Sequence, residues 1–137
     1  MEVQEPRGQQ ATLSEFETTL SMEEGIWREA YWGDMRVGYE TYLKDYDDAA
    51  LLVGLPNDRC QCPHWGYMLS GRMTVRYADH EEVVEAGDVY YMAPDHGIAV
   101  DAGTVLVEFT PLAAWEELMA VAERNIAALT GEDVDAR

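Results

Sequence analysis

The chain has 137 residues, 47% of them apolar, enough for one domain with a core of its own and too few for two. A formal net charge of -18, with Lys44 as the single lysine, disfavours phosphate backbones and anionic lipid, so neither nucleic acid nor a membrane is expected as a partner. No apolar run reaches the length of a membrane span and Met1–Gln10 lacks the apolar stretch of a secretory signal, so the expected location is cytoplasmic.

Residues 1–12 read as a flexible tail, and the single domain is expected over 13–131. Ser14-Glu15-Phe16-Glu17 has the form of a capping box and predicts a short helix over 15–22. Trp27–Trp32 and Met35–Leu43 are rich in aromatic and β-branched residues and flank Gly33-Asp34, a hairpin turn signal. Asp45–Asp48 reads as a charged break, and Ala49–Leu55 as a short apolar run closed by Pro56-Asn57-Asp58. Strands are predicted over Gln61–Leu69, Met73–Tyr77, Glu82–Glu85, Val89–Ala93, Gly97–Val100 and Thr104–Phe109, each bounded by Gly, Pro, Asp or Asn. Many short strands at close spacing indicate an all-β sandwich or barrel. The last element is helical. Thr110 can cap it, Pro111 suits its first turn, and Leu112, Trp115, Met119, Ala122, Ile126 and Leu129 recur at helical spacing before Gly131. This helix, over 111–130, is expected to pack on its own domain, across the open end or outer face of the sheet; residues 132–137 are a second tail.

The run from Arg59 to Gly71, R-C-Q-C-P-H-W-G-Y-M-L-S-G, carries the chemistry. Cys60, Cys62 and His64 are spaced two apart, and on a strand such side chains share a face at intervals of about 6–7 Å. A disulfide between Cys60 and Cys62 is geometrically poor, which leaves free thiols, metal ligands or buried core residues. With His96 the donors are Cys60, Cys62, His64 and His96, a set that suits zinc or iron; Asp58 is a fallback oxygen ligand. A redox role for the thiols is weaker, because C-x-C is not the C-x-x-C of thioredoxin-like motifs. His80 lies in turn composition and is expected in solvent. Glu108, inside V-L-V-E-F, is expected to face outward, since unpaired buried carboxylates are rare.

The region 35–110 resembles the cupin superfamily, on G-Y-M-L-S-G and on Gly87-Asp88-Val89-Tyr90-Tyr91-Met92-Ala93-Pro94. Gly71 fits the glycine that ends the first cupin motif, and Gly54 lies near its opening glycine. The motif's glutamate position falls on His64, and its two histidine positions fall on Cys60 and Asp58. The histidine of the second motif falls on Ile98, with His96 two residues earlier, as in a variant where P-x-H replaces the usual ending. The resemblance, to small single-domain cupin-like proteins of actinobacterial type, implies a double-stranded β-helix (jelly-roll) barrel with a C-terminal α-helix. It also implies that His96 faces His64 across the interior.

These readings predict a metal-dependent enzyme on a small organic substrate, an oxygenase, isomerase, cyclase or decarboxylase, with His64 and His96 as catalytic residues. Trp65, Tyr67, Met68, Tyr90, Tyr91 and Met92 flank the site, and alternation should point about half of them inward, to line a pocket or simply to fill the core. The competing reading is a non-catalytic protein that binds or senses a small molecule, with a structural metal or none. Ligand count separates the two: four filled positions close a site, whereas three with Cys62 free leave room for substrate. An interaction module using the acidic surface and the helix is a third reading. A homodimer is expected, because open sheet edges and the N-terminal strands need covering.

Overall fold

The computed structural model describes residues 7–131; the expected tail positions 1–6 and 132–137 lie outside the described residues. Ten strands form two antiparallel sheets among these residues. The larger has the order β1 (Glu17–Met22), β2 (Gly25–Trp32), β3 (Met35–Tyr42), β10 (Val105–Pro111), β5 (His64–Ser70), β8 (Val89–Met92). The smaller has the order β4 (Tyr46–Asp47), β9 (Gly97–Val100), β6 (Arg72–Arg76), β7 (Glu81–Glu85). Among the described residues the strands form two antiparallel sheets with no closed sheet, so the all-β architecture with a C-terminal helix is seen, without the expected closure into a barrel. Their shared core takes Trp27, Tyr42, Met68, Tyr90, Met92 and Leu106 from the larger sheet and Met73, Val75, Val84 and Val100 from the smaller. Each fully buried large apolar side chain here contributes about 1.5–3 kcal/mol.

The helix predicted over 15–22 is not formed. Thr12 N–H and Thr12 Oγ1 both donate to Glu15 Oε1, at 3.1 and 3.0 Å, which closes a single 3-10 turn at Leu13–Glu15. The following Glu17-Thr18-Thr19-Leu20 favours a strand through its β-branched residues and pairs with β2. Part of the predicted charged break is also a strand, β4, paired with Val100 and Ala99 of β9.

The C-terminal helix, α1, spans Leu112–Thr130, within a residue of the expected range, and ends where Gly131 takes a left-handed φ of 77°. It packs on its own domain, against β10, β3 and the turn at Ala49–Leu51. Asn125 Nδ2 fixes that placement by donating to the carbonyls of Leu51 and Val53, at 2.8 and 2.9 Å. Thr110 does not cap the helix; it stays in β10, fully buried, and points to His64. No helix among the described residues is long and apolar enough to cross a membrane.

Candidate metal centre

Strand register lays Glu29, Gly38, Glu108, Gly66 and Tyr90 in one row across the inner face of the larger sheet. The two glycines make space there. A Cβ on Gly38 would lie 2.1 Å from Arg36 Nη1, and one on Gly66 would lie 2.4 Å from Tyr90 Cζ. The Arg36 guanidinium therefore rests on Gly38, with the Trp115 ring centroid 3.7 Å from its Cζ on α1. Arg36 Nε donates to Glu29 Oε2 at 2.5 Å and Nη1 to Glu40 Oε2 at 2.9 Å. Burial works against its charge, but Glu40 and Glu29 outweigh that and hold its pKa above the ordinary value. Tyr42 Oη donates to Glu40 Oε1 at 2.6 Å, and Tyr90 Oη to Glu108 Oε1 at 2.9 Å.

Glu108 thus faces inward, contrary to the sequence expectation, and only 5% of it is exposed. Leu106, Glu108 and Thr110 share the inner face of β10, and a carboxylate is tolerated there because Tyr90, Arg36 and His64 surround it. Burial pushes the Glu108 and Glu40 carboxyls above their usual range.

Beside this network lie Cys60, His64 and His96, whose donor atoms all fall within 4.8 Å of one another. His64 opens β5. Cys60 lies just before it and is clamped to His96 by backbone bonds, Cys60 N to His96 O at 2.7 Å and His96 N to Cys60 O at 3.1 Å. The Asp95 carboxylate ties the same two segments together by accepting from Asn57, Arg59 and Gln61. Cys60 Sγ stands 3.6 Å from His64 Nε2, and the two imidazole centroids are 5.2 Å apart. All three residues are buried.

Each imidazole is held at its other nitrogen. His96 Nδ1 donates to the Ala93 carbonyl at 2.6 Å, which places the proton on Nδ1 and leaves Nε2 a free lone pair. His64 Nδ1 lies 2.6 Å from Thr110 Oγ1 and 3.3 Å from Glu108 Oε2, so this ring too is engaged on the side away from Cys60. Burial holds His64 below its ordinary pKa. Burial would lower His96 as well, but the Cys60 sulfur and the Ala93 carbonyl outweigh it and raise the pKa. The neighbouring Cys62 thiol, and then burial, push the Cys60 thiol up to about 11. One sulfur and two oriented imidazole nitrogens fit a divalent metal ion, which would displace the thiol proton on binding.

The remaining candidates lie elsewhere. Residues 61–63 are not strand, so the alternation expected from Cys60 through His64 is broken. Cys62 Sγ instead donates to the Ala114 carbonyl at 3.1 Å, and its side chain packs with Leu52 and Leu118 under α1. Asp58 Oδ1 accepts from Gly54 N at 3.0 Å and is exposed. His80 is exposed between Asp79 and Glu82, as expected. Of the six expected pocket residues, Met68, Tyr90 and Met92 face inward. Trp65, Tyr67 and Tyr91 face the opposite way, 45%, 46% and 51% exposed, and line no pocket around the site. The cavity itself, about 960 Å³, lies between the inner face of the larger sheet and α1, with Cys60, His64 and His96 in its wall. Arg36 and Glu40, which also line it, were not singled out from the sequence, and Trp115 was read only as part of the apolar stripe of the helix. Gly38 and Gly66, inside otherwise continuous strand patterns, were the available signal of a close approach.

No protein-family model and no curated protein matches the chain. Among solved structures, the chain is similar to an RmlC-like cupin from Shewanella frigidimarina, at 14% identity over 77% of this chain and 93% of that one, with a TM-score of 0.54. It is also similar to the polyketide cyclase RemF from Streptomyces resistomycificus, at 11% identity over 77% and 80% of the two chains, TM-score 0.54. A third similarity is to KdgF from Halomonas sp., at 13% identity over 77% and 94%, TM-score 0.51. At these identities the likeness is one of fold, and the fold is that of the cupins.

Proposed function

We propose that the protein is a metal-dependent cupin-type enzyme acting on a small organic molecule in the cavity, with Cys60, His64 and His96 holding a divalent ion, zinc or iron. The observation that carries this reading is the meeting of three donors, from separate segments, in the wall of a cavity large enough for such a molecule. A three-residue set leaves coordination capacity for water or substrate, whereas Cys62, the fourth donor that would close the site, is engaged with the Ala114 carbonyl. A bound ion would supply Lewis-acid polarisation of a substrate oxygen. The chain's own part is orientation and proton handling. Ala93 fixes His96, while Thr110 and Glu108 fix His64. Glu108, its carboxyl pushed up by burial, can take the proton of His64 Nδ1. Helix α1 forms one wall of the cavity. Similarity in fold to a polyketide cyclase is consistent with catalysis in such an interior. Free thiols at Cys60 and Cys62 suit a reducing compartment such as the cytoplasm.

The test is elemental analysis of protein purified without a metal-chelating tag. Near one ion per chain is expected in the wild type, with loss in Cys60→Ala and in His64→Ala. Metal-free wild-type protein would sink the reading and leave a binding protein without a metal.

A further inference from the structure

Strands β5, β8 and β10 turn large apolar side chains away from the core. Register places Phe109, Trp65 and Tyr91 side by side in one row, and Val107, Tyr67 and Val89 in the next. Leu69 extends the patch along β5. Trp65 and Tyr91 touch, with ring centroids 5.2 Å apart. Six of these seven are exposed, 82% for Val89, 51% for Tyr91, 46% for Tyr67, 45% for Trp65, 41% for Leu69 and 37% for Phe109, and Val107 is half-buried between them. On the neighbouring strand β3 the outward side of the sheet is covered: Val37 is buried and Phe16 packs on Tyr39, 5.8 Å between ring centroids. Three adjacent strands, β10, β5 and β8, therefore present an outer face without a single charged side chain, in a chain of which 26% is charged. Ordinary monomer surfaces scatter their exposed apolar residues; this one gathers them.

We propose that this face is where a second copy of the chain docks, face to face about a twofold axis, with Trp65 and Tyr91 at its centre. Three observations select this occupant. At a net charge of -18, the uncharged face is the surface on which two copies meet without placing like charges in contact. The exposed part of the six side chains amounts to roughly 600 Å² per copy, so a pair buries about 1,200 Å², the lower bound of a stable interface. A patch of uncharged aromatic and aliphatic groups is complementary to itself, as a twofold contact requires. The surface differs from the one expected from sequence: it is a sheet face, not a sheet edge or the N-terminal strands.

Sedimentation velocity on the full chain from 1 to 100 µM tests this. Wild-type protein is expected to sediment at twice the chain mass in the upper part of that range. Trp65→Glu and Tyr91→Glu, each at an exposed position, should raise the dimer dissociation constant by about thirtyfold or more, as for central interface aromatics. Far-UV circular dichroism should show both variants folded, and Leu129→Glu, exposed on α1, should dimerise like wild type. Flotation with phosphatidylcholine vesicles forms a second arm. A monomeric wild type at 100 µM, a dimer indifferent to both substitutions, or vesicle binding by a monomer that Trp65→Glu abolishes would each overturn the proposal, the last in favour of a lipid surface.

Discussion

His64 can present Nε2 to an ion only because Nδ1 is engaged, and two oxygens share that task. Replacing Glu108 by Gln, or Thr110 by Val, leaves all three donors in place but loosens the ring. Metal affinity, read by competition with a chelator, should fall by about 10–100-fold in each variant. Unchanged affinity would mean that the ring is positioned by packing alone. A second residue has a consequence for pH. Asp48 is nearly buried beside β9, its Oδ1 accepting from Ile98 N at 2.9 Å. Burial pushes its carboxyl up to about 7 from 3.8, helped by the Asp47 carboxylate and opposed by the Ile98 N–H and Arg76. Because the folded-state value is the higher one, stability is fullest below 3.8 and is lost as pH rises through 7. The full effect is roughly 4 kcal/mol. Asp48→Asn keeps an acceptor for Ile98 and cannot ionise, so it should gain stability over wild type at pH 8 and much less at pH 5, measured by urea unfolding. An equal gain at both pH values would show that ionisation of Asp48 costs the fold nothing.

The two strands at the middle of the larger sheet carry an inverted polarity. In β3 the inner positions are Arg36, Gly38, Glu40 and Tyr42, while Val37 and Tyr39 face out; in β10 Glu108 and Thr110 face in, while Val107 and Phe109 face out. The glycines make this possible, which gives an element-scale prediction. Gly66→Ala sets a methyl against the Tyr90 ring and, at 2.7 Å, against the Val107 carbonyl of the neighbouring strand. It should destabilise the protein by about 1–3 kcal/mol in chemical denaturation, as overpacking does. A neutral effect would show that Tyr90 can leave Glu108 freely. The same inversion explains what was and was not legible in the sequence. Most strand positions were legible to within a few residues, because turn residues punctuate them. The helix over 111–130 was legible because its apolar spacing is regular. Cys60, His64 and His96 were singled out by residue type and by the cupin resemblance, but the alternation invoked for them is not kept at 61–63, which is why Cys62 was grouped with them and lies elsewhere. Glu108 was not legible, because the rule that carboxylates face water fails where Arg36, Tyr90 and His64 receive one inside. Trp65, Tyr67 and Tyr91 were assigned to a pocket because alternation says only that half of a strand faces in, and does not say which half.

At the scale of the molecule, the inverted polarity and the charge act on one surface from opposite directions. In the proposed dimer the uncharged outer face would favour association, while -18 on each copy would oppose it through a repulsion that reaches beyond the contact. Such repulsion is felt over the screening length, about 30 Å in 0.01 M salt and about 3 Å in 1 M. The apolar contribution to association does not need low salt and is not weakened by screening. Association should therefore tighten as NaCl rises from 20 mM to 500 mM, with the dissociation constant falling several-fold in sedimentation, and the melting temperature of the monomeric Trp65→Glu variant should rise over the same range as self-repulsion is screened. If the wild-type dimer instead loosened with salt, oppositely charged groups would have to hold it, and the apolar face would not be its interface.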